Sequence, residues 1–331
     1  MRLYEFFMRR LILSIVVLLG LSVVIFALSR GAGDPVRAYV DPRMPKEQVE
    51  LIRRLYGLDQ PLYVQYYYWL GAALRGDLGI SQTFNYQPVA KVIISYMPIT
   101  FELAIYVLVI SIPLGVYLGT KSATNKDTWV DHACRLLAIS GQSMPAFFFA
   151  LLVAMMLYPR GIIVFAPQFT FPVFTGMPTV DAILAGDMIG LVEAFRYLIG
   201  PLLVQVYTQL AVNTRILRAS VLQELGRDYI TTGLAKGLSP KYVNRHYAVR
   251  NALLPFVTLS GLQVVWLMTG TVITEVVFNR KGLGYFMSTA AIAVDHNAVL
   301  GYVLVLGSLL VLANMLIDVL YAYLDPRVRL G

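Results

Sequence analysis

The sequence contains few charged residues and only one cysteine. Of the 331 residues, 14% are charged, whereas soluble domains carry about a quarter. The single cysteine, Cys134, excludes an intrachain disulfide and a metal cluster built from cysteines. The hydrophobic share is 58%, so the chain is expected to cross a membrane several times.

The sequence also lacks the short motifs of nucleotide-binding and hydrolytic enzymes. No G-x-x-x-x-G-K-[ST] loop occurs, and no serine has a G-x-S-x-G context. His132, His246 and His296 are too far apart in the sequence to indicate a metal site. We therefore expect no catalytic residue, no metal ligand and no cofactor in this chain.

Six apolar stretches approach the length of about 20 residues that crosses a bilayer. They are Leu11–Leu28, Pro98–Thr120, Ala133–Tyr158, Tyr197–Val212, Ala252–Phe278 and Val299–Tyr323. The first is longer than the apolar core of a cleaved signal peptide, so we interpret it as a retained span. The fourth contains two glutamines and alone would suit an interfacial helix. We count it as a span because the charges of the loops are then consistent.

The net charge of +8 would suggest nucleic acid in a soluble chain, but here it fits the positive-inside rule. With six spans and the N-terminus inside, segment 213–251 lies on the cytoplasmic side and holds seven basic and two acidic residues. Both termini are then cytoplasmic, in a multi-pass protein of the cell (inner) membrane. We therefore expect the chain to contact membrane lipid and not to bind nucleic acid.

The expected fold is all-α, a polytopic membrane protein with about six transmembrane helices. Its predicted parts are an N-terminal span (1–29), an extracellular helical cap (30–97), a core domain of five further spans (98–323) with a cytoplasmic loop (213–251), and a cytoplasmic tail (324–331). The cap should contain two short amphipathic helices, opened by Pro45 and Pro61 and ended by Gly57 and Gly76. It either covers the mouth of the spans or contacts an incoming ligand carrier.

Ionisable residues inside the spans are few. Glu102 and Glu275 lie near predicted outer ends, and Asp318 lies near an inner end. Such residues often have a function in membranes. An ion-coupled transporter would place them near the midplane. We therefore interpret them as structural pairing or capping groups.

The basic loop is the most informative segment. In RDYITTGLAKGLSPKYVNRHYAVRNALLP, Asp228 is expected to cap a short helix that Gly237 ends in the left-handed conformation. Ser239 and Pro240 are the cap and first residue of the next helix. Attraction to anionic lipid is one explanation for this basic segment. A rigid helix–turn–helix with exposed Leu234 and Tyr229 favours docking into a partner.

The same residues carry a resemblance to a known family. AKGLSPKYVNRHYAVRNALLP resembles the AKGLS and HALRNALLP segments in the cytoplasmic loop of ATP-binding-cassette (ABC) importer permeases of the peptide-transporter type. GLDQPLYVQYYYWL, RGDLGIS, FNRKGLGYF and LIDVLYAYLDPRVR are similar to other family segments in the same order, so the resemblance covers nearly the whole chain. One departure is Thr231-Thr232-Gly233, where the general permease motif has Glu-Ala-Ala.

The resemblance implies that the loop contains a coupling helix that sits in a cleft of a separate ATPase. The residues to which the resemblance assigns this contact with the ATPase are Asp228, Tyr229, Thr231, Thr232, Leu234, Ala235, Lys236, Gly237, Leu238 and Ser239. It also implies a second, homologous permease subunit, two ATPase subunits that hold ATP and Mg, and an extracellular substrate-binding protein. The substrate would be a peptide, although relatives of this type also carry oligosaccharides or metal chelates.

On this reading the chain forms half of a pathway that opens to each side of the membrane in turn. Polar and aromatic residues on the third to fifth spans are candidates to line that pathway: Gln142, Ser143, Gln205, Gln209, Gln263 and Trp266. Each could equally form an interhelical hydrogen bond. The alternative functions are an ion- or proton-coupled secondary transporter that needs no ATPase, and a channel or assembly scaffold. The first would require midplane carboxylates and internal inverted symmetry, and neither is found.

Overall fold

The structure is a computed structural model that describes residues 3–32, 34, 36, 39–40, 43–165, 167–268 and 271–324. Its first helices are α1 (Leu3–Ala32), α2 (Lys46–Leu55), α3 (Leu62–Leu74), α4 (Val89–Thr124), α5 (Trp129–Ser143), α6 (Ala146–Leu157) and α7 (Pro178–Ala185). They are followed by α8 (Met188–Leu225), α9 (Asp228–Ala235), α10 (Pro240–Val243), α11 (Arg250–Met268), α12 (Val272–Val277), α13 (Leu283–Ile292) and α14 (His296–Leu324). A π-helical segment, Asn244–Val249, joins α10 to α11. Two short strands, β1 (Ile80–Ser81) and β2 (Gln87–Pro88), pair antiparallel.

Among the described residues, five helical segments are long and apolar enough to cross a membrane. They are Phe7–Gly31, Val89–Thr124, Met188–Leu225, Pro240–Leu267 and His296–Met315. A sixth span results if the bent pair α5 and α6 counts as one. The expected all-α polytopic fold is confirmed. The predicted tail beyond Leu324 lies outside the described residues, as does the side chain of Asp318.

The third predicted span is present as two helices with a sharp bend between them. Helix α5 ends at Ser143, α6 begins at Ala146, and the two axes differ by 103°. The break follows from Pro145, which has no N–H to donate and disfavours helical geometry at the residue before it. Met144 is accordingly extended, with ψ 123°.

The fifth predicted span needs correction. Helix α11 ends at Met268, and a separate short helix, α12, covers Val272–Val277 where the span was expected to continue. The fourth span, which was the weakest, is the longest helix of all those described. Its 38 residues extend about 57 Å, well beyond the ~30 Å of the hydrocarbon core. The start of predicted loop 213–251 is therefore the end of α8.

The chain divides into two compact units, one formed by residues 1–98 and 281–331 and the other by residues 99–280. In the first, the N-terminal end of α4 packs with α13 and α14 around Val89, Ile93, Phe286 and Ala298. The two predicted cap helices are present here as α2 and α3, and Gly57 and Gly76 have the positive φ expected of helix ends.

In the second unit, α8 is the central helix. Leu198 packs beside Leu103 of α4, Val204 beside Ala150 of α6, and Leu217 beside Phe256 of α11. This arrangement suits a long helix with apolar residues on several sides. Because α8 also leads directly into α9, the fold connects the apolar core with the basic segment.

Candidate coupling site

Helix α9 ends in a closed turn built around Gly237. The Gly237 amide donates to the Leu234 carbonyl over 2.9 Å, and the Leu238 amide donates to the Gly233 carbonyl over 3.3 Å. This pair of bonds is a Schellman motif, which needs a left-handed residue at its bend. Gly237 supplies it with φ +81°, as the sequence predicted.

The next helix begins as the sequence predicted. Ser239 is the N-cap of α10, its hydroxyl accepts a hydrogen bond from the Tyr242 amide, and Pro240 is the first helical residue. A proline is favoured there because its missing N–H is one that the helix would leave unpaired. The expected capping role of Asp228 is wrong, since Arg227 occupies that position and Asp228 is the first residue of α9. Its carboxylate still stabilises α9, because a negative charge in the first turn interacts favourably with the positive end of the helix dipole.

The two short helices pack against each other through a small apolar cluster. Ile230 of α9, Val243 of α10 and Ala248 of the π-helical segment form its buried centre, with Leu238 at its edge. Gly233 is buried against this cluster, and a Cβ atom added there would lie 3.4 Å from Val243. Turn and cluster together make α9 and α10 one rigid element.

The structure brings the ten predicted coupling residues together on this element. Eight of them are exposed: Asp228, Thr231, Thr232, Leu234, Ala235, Lys236, Gly237 and Ser239. Leu238 is half-buried because it covers the apolar cluster. Tyr229 was expected to be exposed, but it is half-buried as well.

Tyr229 connects α9 with the end of α8 and the start of α11. Its hydroxyl donates to the Glu224 carboxylate and accepts from the side-chain amide of Asn251 over 3.2 Å. Partial burial and the neighbouring Glu224 both raise the pKa of Tyr229, so the phenol keeps its proton at neutral pH. The side chain thus fixes α9 to its neighbours.

A buried ion pair lies between α5 and α8. Asp131 is completely buried and receives two hydrogen bonds from Arg218, over 2.7 and 2.8 Å. The same carboxylate accepts from the Ser122 hydroxyl over 2.5 Å and the Asp127 amide over 3.1 Å. Bidentate arginine–carboxylate pairs have a defined geometry. This one ties α4, α5 and α8 together, and the sequence analysis did not pair its members.

A second ion pair is the one that the sequence analysis most clearly missed. Arg280 lies beyond the end of the fifth predicted span, yet it is completely buried. Its guanidinium donates to Glu102, which also accepts from the Thr179 amide and hydroxyl over 2.7 and 2.6 Å. Glu275 accepts from the Thr100 hydroxyl over 2.8 Å. The pairing interpretation is confirmed for Glu102, whose position in an apolar stretch was the signal for a basic partner.

The six pathway candidates have mixed surroundings. Gln205 donates to Thr274 of α12 over 2.7 Å, and Gln142 contacts the Ala211 carbonyl of α8 at 3.4 Å. Ser143 and Trp266 are exposed, whereas Gln209 and Gln263 are half-buried. Interhelical hydrogen bonds therefore account for two of them, and their place on a pathway stays a prediction. Within the described residues, no group of three His, Cys, Asp or Glu side chains could hold a metal ion.

Comparison with known proteins identifies the family. Residues 111–330 match the family described as "Binding-protein-dependent transport system inner membrane component", and residues 3–104 match its N-terminal membrane component. The chain belongs to this permease family. The resemblance to ABC importer permeases of the peptide type is thereby confirmed.

Curated relatives cover almost the whole permease. A probable D,D-dipeptide transport system permease protein of Escherichia coli (strain K12) is 36% identical over 96% of this chain and 95% of its own length. A dipeptide transport system permease protein of the same strain is 33% identical, over 98% of each chain. A di/tripeptide transport system permease protein of Pseudomonas aeruginosa (strain UCBPP-PA14) is also 33% identical, over 98% of each chain.

Proposed function

We propose that this permease forms half of the translocation pathway of an ATP-driven importer of short peptides. A second, homologous permease subunit would supply the other half, and an extracellular binding protein would deliver the substrate. ATP and Mg would be held by two separate ATPase subunits. The family match and the dipeptide permeases among the relatives support this proposal.

The observation that carries the proposal is the rigid element formed by α9 and α10. It presents eight exposed residues around a turn that two backbone hydrogen bonds close. Leu234 is 43% exposed although it is apolar, which suits a residue that a partner covers. A preformed turn also loses little conformational entropy when it docks.

Movement of α9 would reach the spans through α8. The Tyr229–Glu224 hydrogen bond holds α9 to the end of α8, and the Asp131–Arg218 pair holds α8 to α5. ATP-driven approach of the ATPases would shift α9, and a rigid-body displacement would then tilt the helices around the pathway. The residues proposed to meet the substrate are Gln142, Ser143, Gln205, Gln209, Gln263 and Trp266.

Two variants of the loop test the ATPase contact. Leu234→Glu places a charge at the centre of the proposed contact, and Gly237→Pro is incompatible with φ +81°. We expect both to lose ATPase co-purification and peptide uptake while the permease still inserts in the membrane. Gln223→Glu is the matched control, because it adds the same charge at an exposed site on α8. Normal ATPase binding by Leu234→Glu and Gly237→Pro would refute the contact.

The importer reading is tested separately by the energy source and the substrate. Permease co-expressed with its partner subunits and reconstituted in proteoliposomes should import labelled dipeptides only when ATP and the binding protein are present. Uptake driven by a proton or sodium gradient without ATP would instead indicate a secondary transporter. Titration of the binding protein with dipeptides and with oligosaccharides should give binding only for the peptides.

A further inference from the structure

A basic cleft lies between α4 and the segment formed by α10 and the π-helical residues. Its volume is about 850 Å³, and all of its described lining residues belong to the second unit. Three cationic side chains enter it, Lys121 from α4 and Lys241 and Arg245 from the opposite wall. None of the described residues that line it is acidic, and none of the three cations forms an ion pair within the part of the chain that the structure describes.

The charge of this cleft favours an anion. Lys121, Lys241 and Arg245 are exposed, and three like charges that share one cleft repel one another and attract an opposite charge. The side-chain amide of Asn244 lies in the same lining and is able to donate hydrogen bonds. This set of donors matches the oxygens of a phosphate group.

The polarity of the cleft changes in one direction along α4. Pro113, Val116 and Tyr117 line its apolar end, and Thr120, Lys121 and Thr124 follow at helical spacing on the same face. The rise from Pro113 to Thr124 is about 16 Å. Val249 of the other wall packs on the same apolar cluster as Val116. A free anion would use only the basic end, whereas an amphiphile would fill both.

We propose that this cleft binds an anionic phospholipid, with its phosphate among Lys121, Lys241 and Arg245 and an acyl chain along Val116 and Val249. Basic clefts between membrane helices are suited to such headgroups. Tyr117 supports the assignment, since its ring is 58% exposed and lies 5.8 Å from the Lys121 ammonium. Tyrosine is enriched at the level of the headgroups. Lys241 belongs to α10 of the coupling element, but lipid binding is measured without the ATPase, so the two proposals are tested separately.

A tryptophan in the cleft reports on the bound lipid. Tyr117→Trp is introduced into the full-length chain, and its fluorescence is compared with that of the parent protein, which has three tryptophans. We expect brominated phosphatidylglycerol to quench the added signal at a several-fold lower mole fraction than brominated phosphatidylcholine. Equal quenching by the two lipids would overturn the proposal.

Paired charge variants of the reporter protein then locate the site. Lys241→Gln with Arg245→Gln should weaken the preference for phosphatidylglycerol on the order of tenfold, since each basic residue contributes separately near the surface. Lys126→Gln with Arg250→Gln removes two exposed cations outside the cleft lining and should leave the preference unchanged. An equal loss in both pairs would mean general surface charge and would refute a specific site.

Inorganic phosphate distinguishes a lipid from a free anion. Because the acyl chain adds apolar contacts, millimolar phosphate should not restore fluorescence quenched by phosphatidylglycerol. Restoration would show that the headgroup alone is recognised and would overturn the lipid assignment. If the double variant fails to fold, mass spectrometry of lipid co-purified with the Lys121→Gln protein replaces it, and parental phosphatidylglycerol content would contradict the proposal.

Discussion

At the scale of single residues, the Arg280–Glu102 pair has the largest energetic consequence. Both side chains are withdrawn from water, and a buried charge is tolerated only when it is paired and hydrogen-bonded. The Arg280 guanidinium also lies 4.8 Å from the centre of the Tyr197 ring, which adds a cation–π contact. Loss of one partner therefore leaves the other in an apolar environment.

We expect Arg280→Met to destabilise the permease by about 3–5 kcal/mol, because Glu102 then stays buried without its cation. Thermal unfolding of the purified protein in detergent measures the change. Glu102→Gln added to Arg280→Met should recover much of the loss, since no unpaired charge remains. Arg160→Met, at an exposed arginine, is the control. Equal destabilisation in the single and double variants would mean that charge pairing is not the cause.

At the scale of elements, α4 and α8 approach so closely that glycine is required between them. A Cβ atom added at Gly115 would lie 2.4 Å from the Cβ atom of Asn213, and one at Gly119 would lie 2.8 Å from that of Leu217. This G-x-x-x-G spacing puts both glycines on one face, as in other close helix pairs in membranes. We expect Gly115→Ala to cost about 1–3 kcal/mol by overpacking.

A matched glycine makes this prediction specific. Gly20 lies in α1 with open space around it, so Gly20→Ala should be neutral or slightly stabilising by helix propensity. The midpoints of thermal unfolding should therefore shift in opposite directions for the two variants, or the decrease should be clearly larger for Gly115→Ala. Similar shifts for both would show that the α4–α8 contact tolerates a methyl group.

The turn of α9 gives a second prediction at this scale. Gly237→Ala keeps the surface but forces a side chain into φ +81°, at a cost of about 1 kcal/mol. Hydrogen exchange at the Leu238 amide should then be about fivefold faster, since its bond to Gly233 closes the turn. Gly226→Ala is the control because Gly226 has an ordinary φ of −83°. Unchanged exchange at Leu238 would mean that the turn does not need its glycine.

Local signals predicted the loop better than the spans. Ser239, Pro240 and Gly237 have short-range geometric preferences, so the sequence alone predicted the second helix start and the glycine turn. A proline inside an apolar stretch, in contrast, can either end a helix or lie within a continuous one. Pro145 separates α5 from α6, whereas Pro201 and Pro255 lie inside continuous helices. Neighbouring helices decide between these outcomes, and so the 103° bend was not predictable from hydropathy.

The ion pairs could not be predicted from local sequence signals either, because their members are not neighbours in the sequence. Glu102 and Arg280 are far apart in sequence, and Asp131 and Arg218 lie on different helices. Arg280 lies beyond the end of the fifth predicted span, so hydropathy gave no indication that it is buried. Only tertiary packing brings such partners together, of α5 on α8 for Asp131 and Arg218, and of α4 on the residues after α12 for Glu102 and Arg280. The residues of the coupling element, in contrast, are contiguous, so a sequence motif was sufficient to name them.

At the scale of the whole molecule, the proposed orientation places the α9 turn and the cap helix α2 on opposite sides of the membrane. The chain is suited to a labelling experiment because Cys134, its single cysteine, is buried and Cys134→Ser yields a cysteine-free background. Lys236 and Lys46 are both exposed, so Lys236→Cys and Lys46→Cys are matched probes.

In intact cells, a membrane-impermeant maleimide should label Lys46→Cys and spare Lys236→Cys. After the cells are opened, both should react, because neither position is buried. Labelling of Lys236→Cys in intact cells would place the turn outside, where no ATP-hydrolysing subunit could reach it, and would refute the coupling proposal together with the orientation.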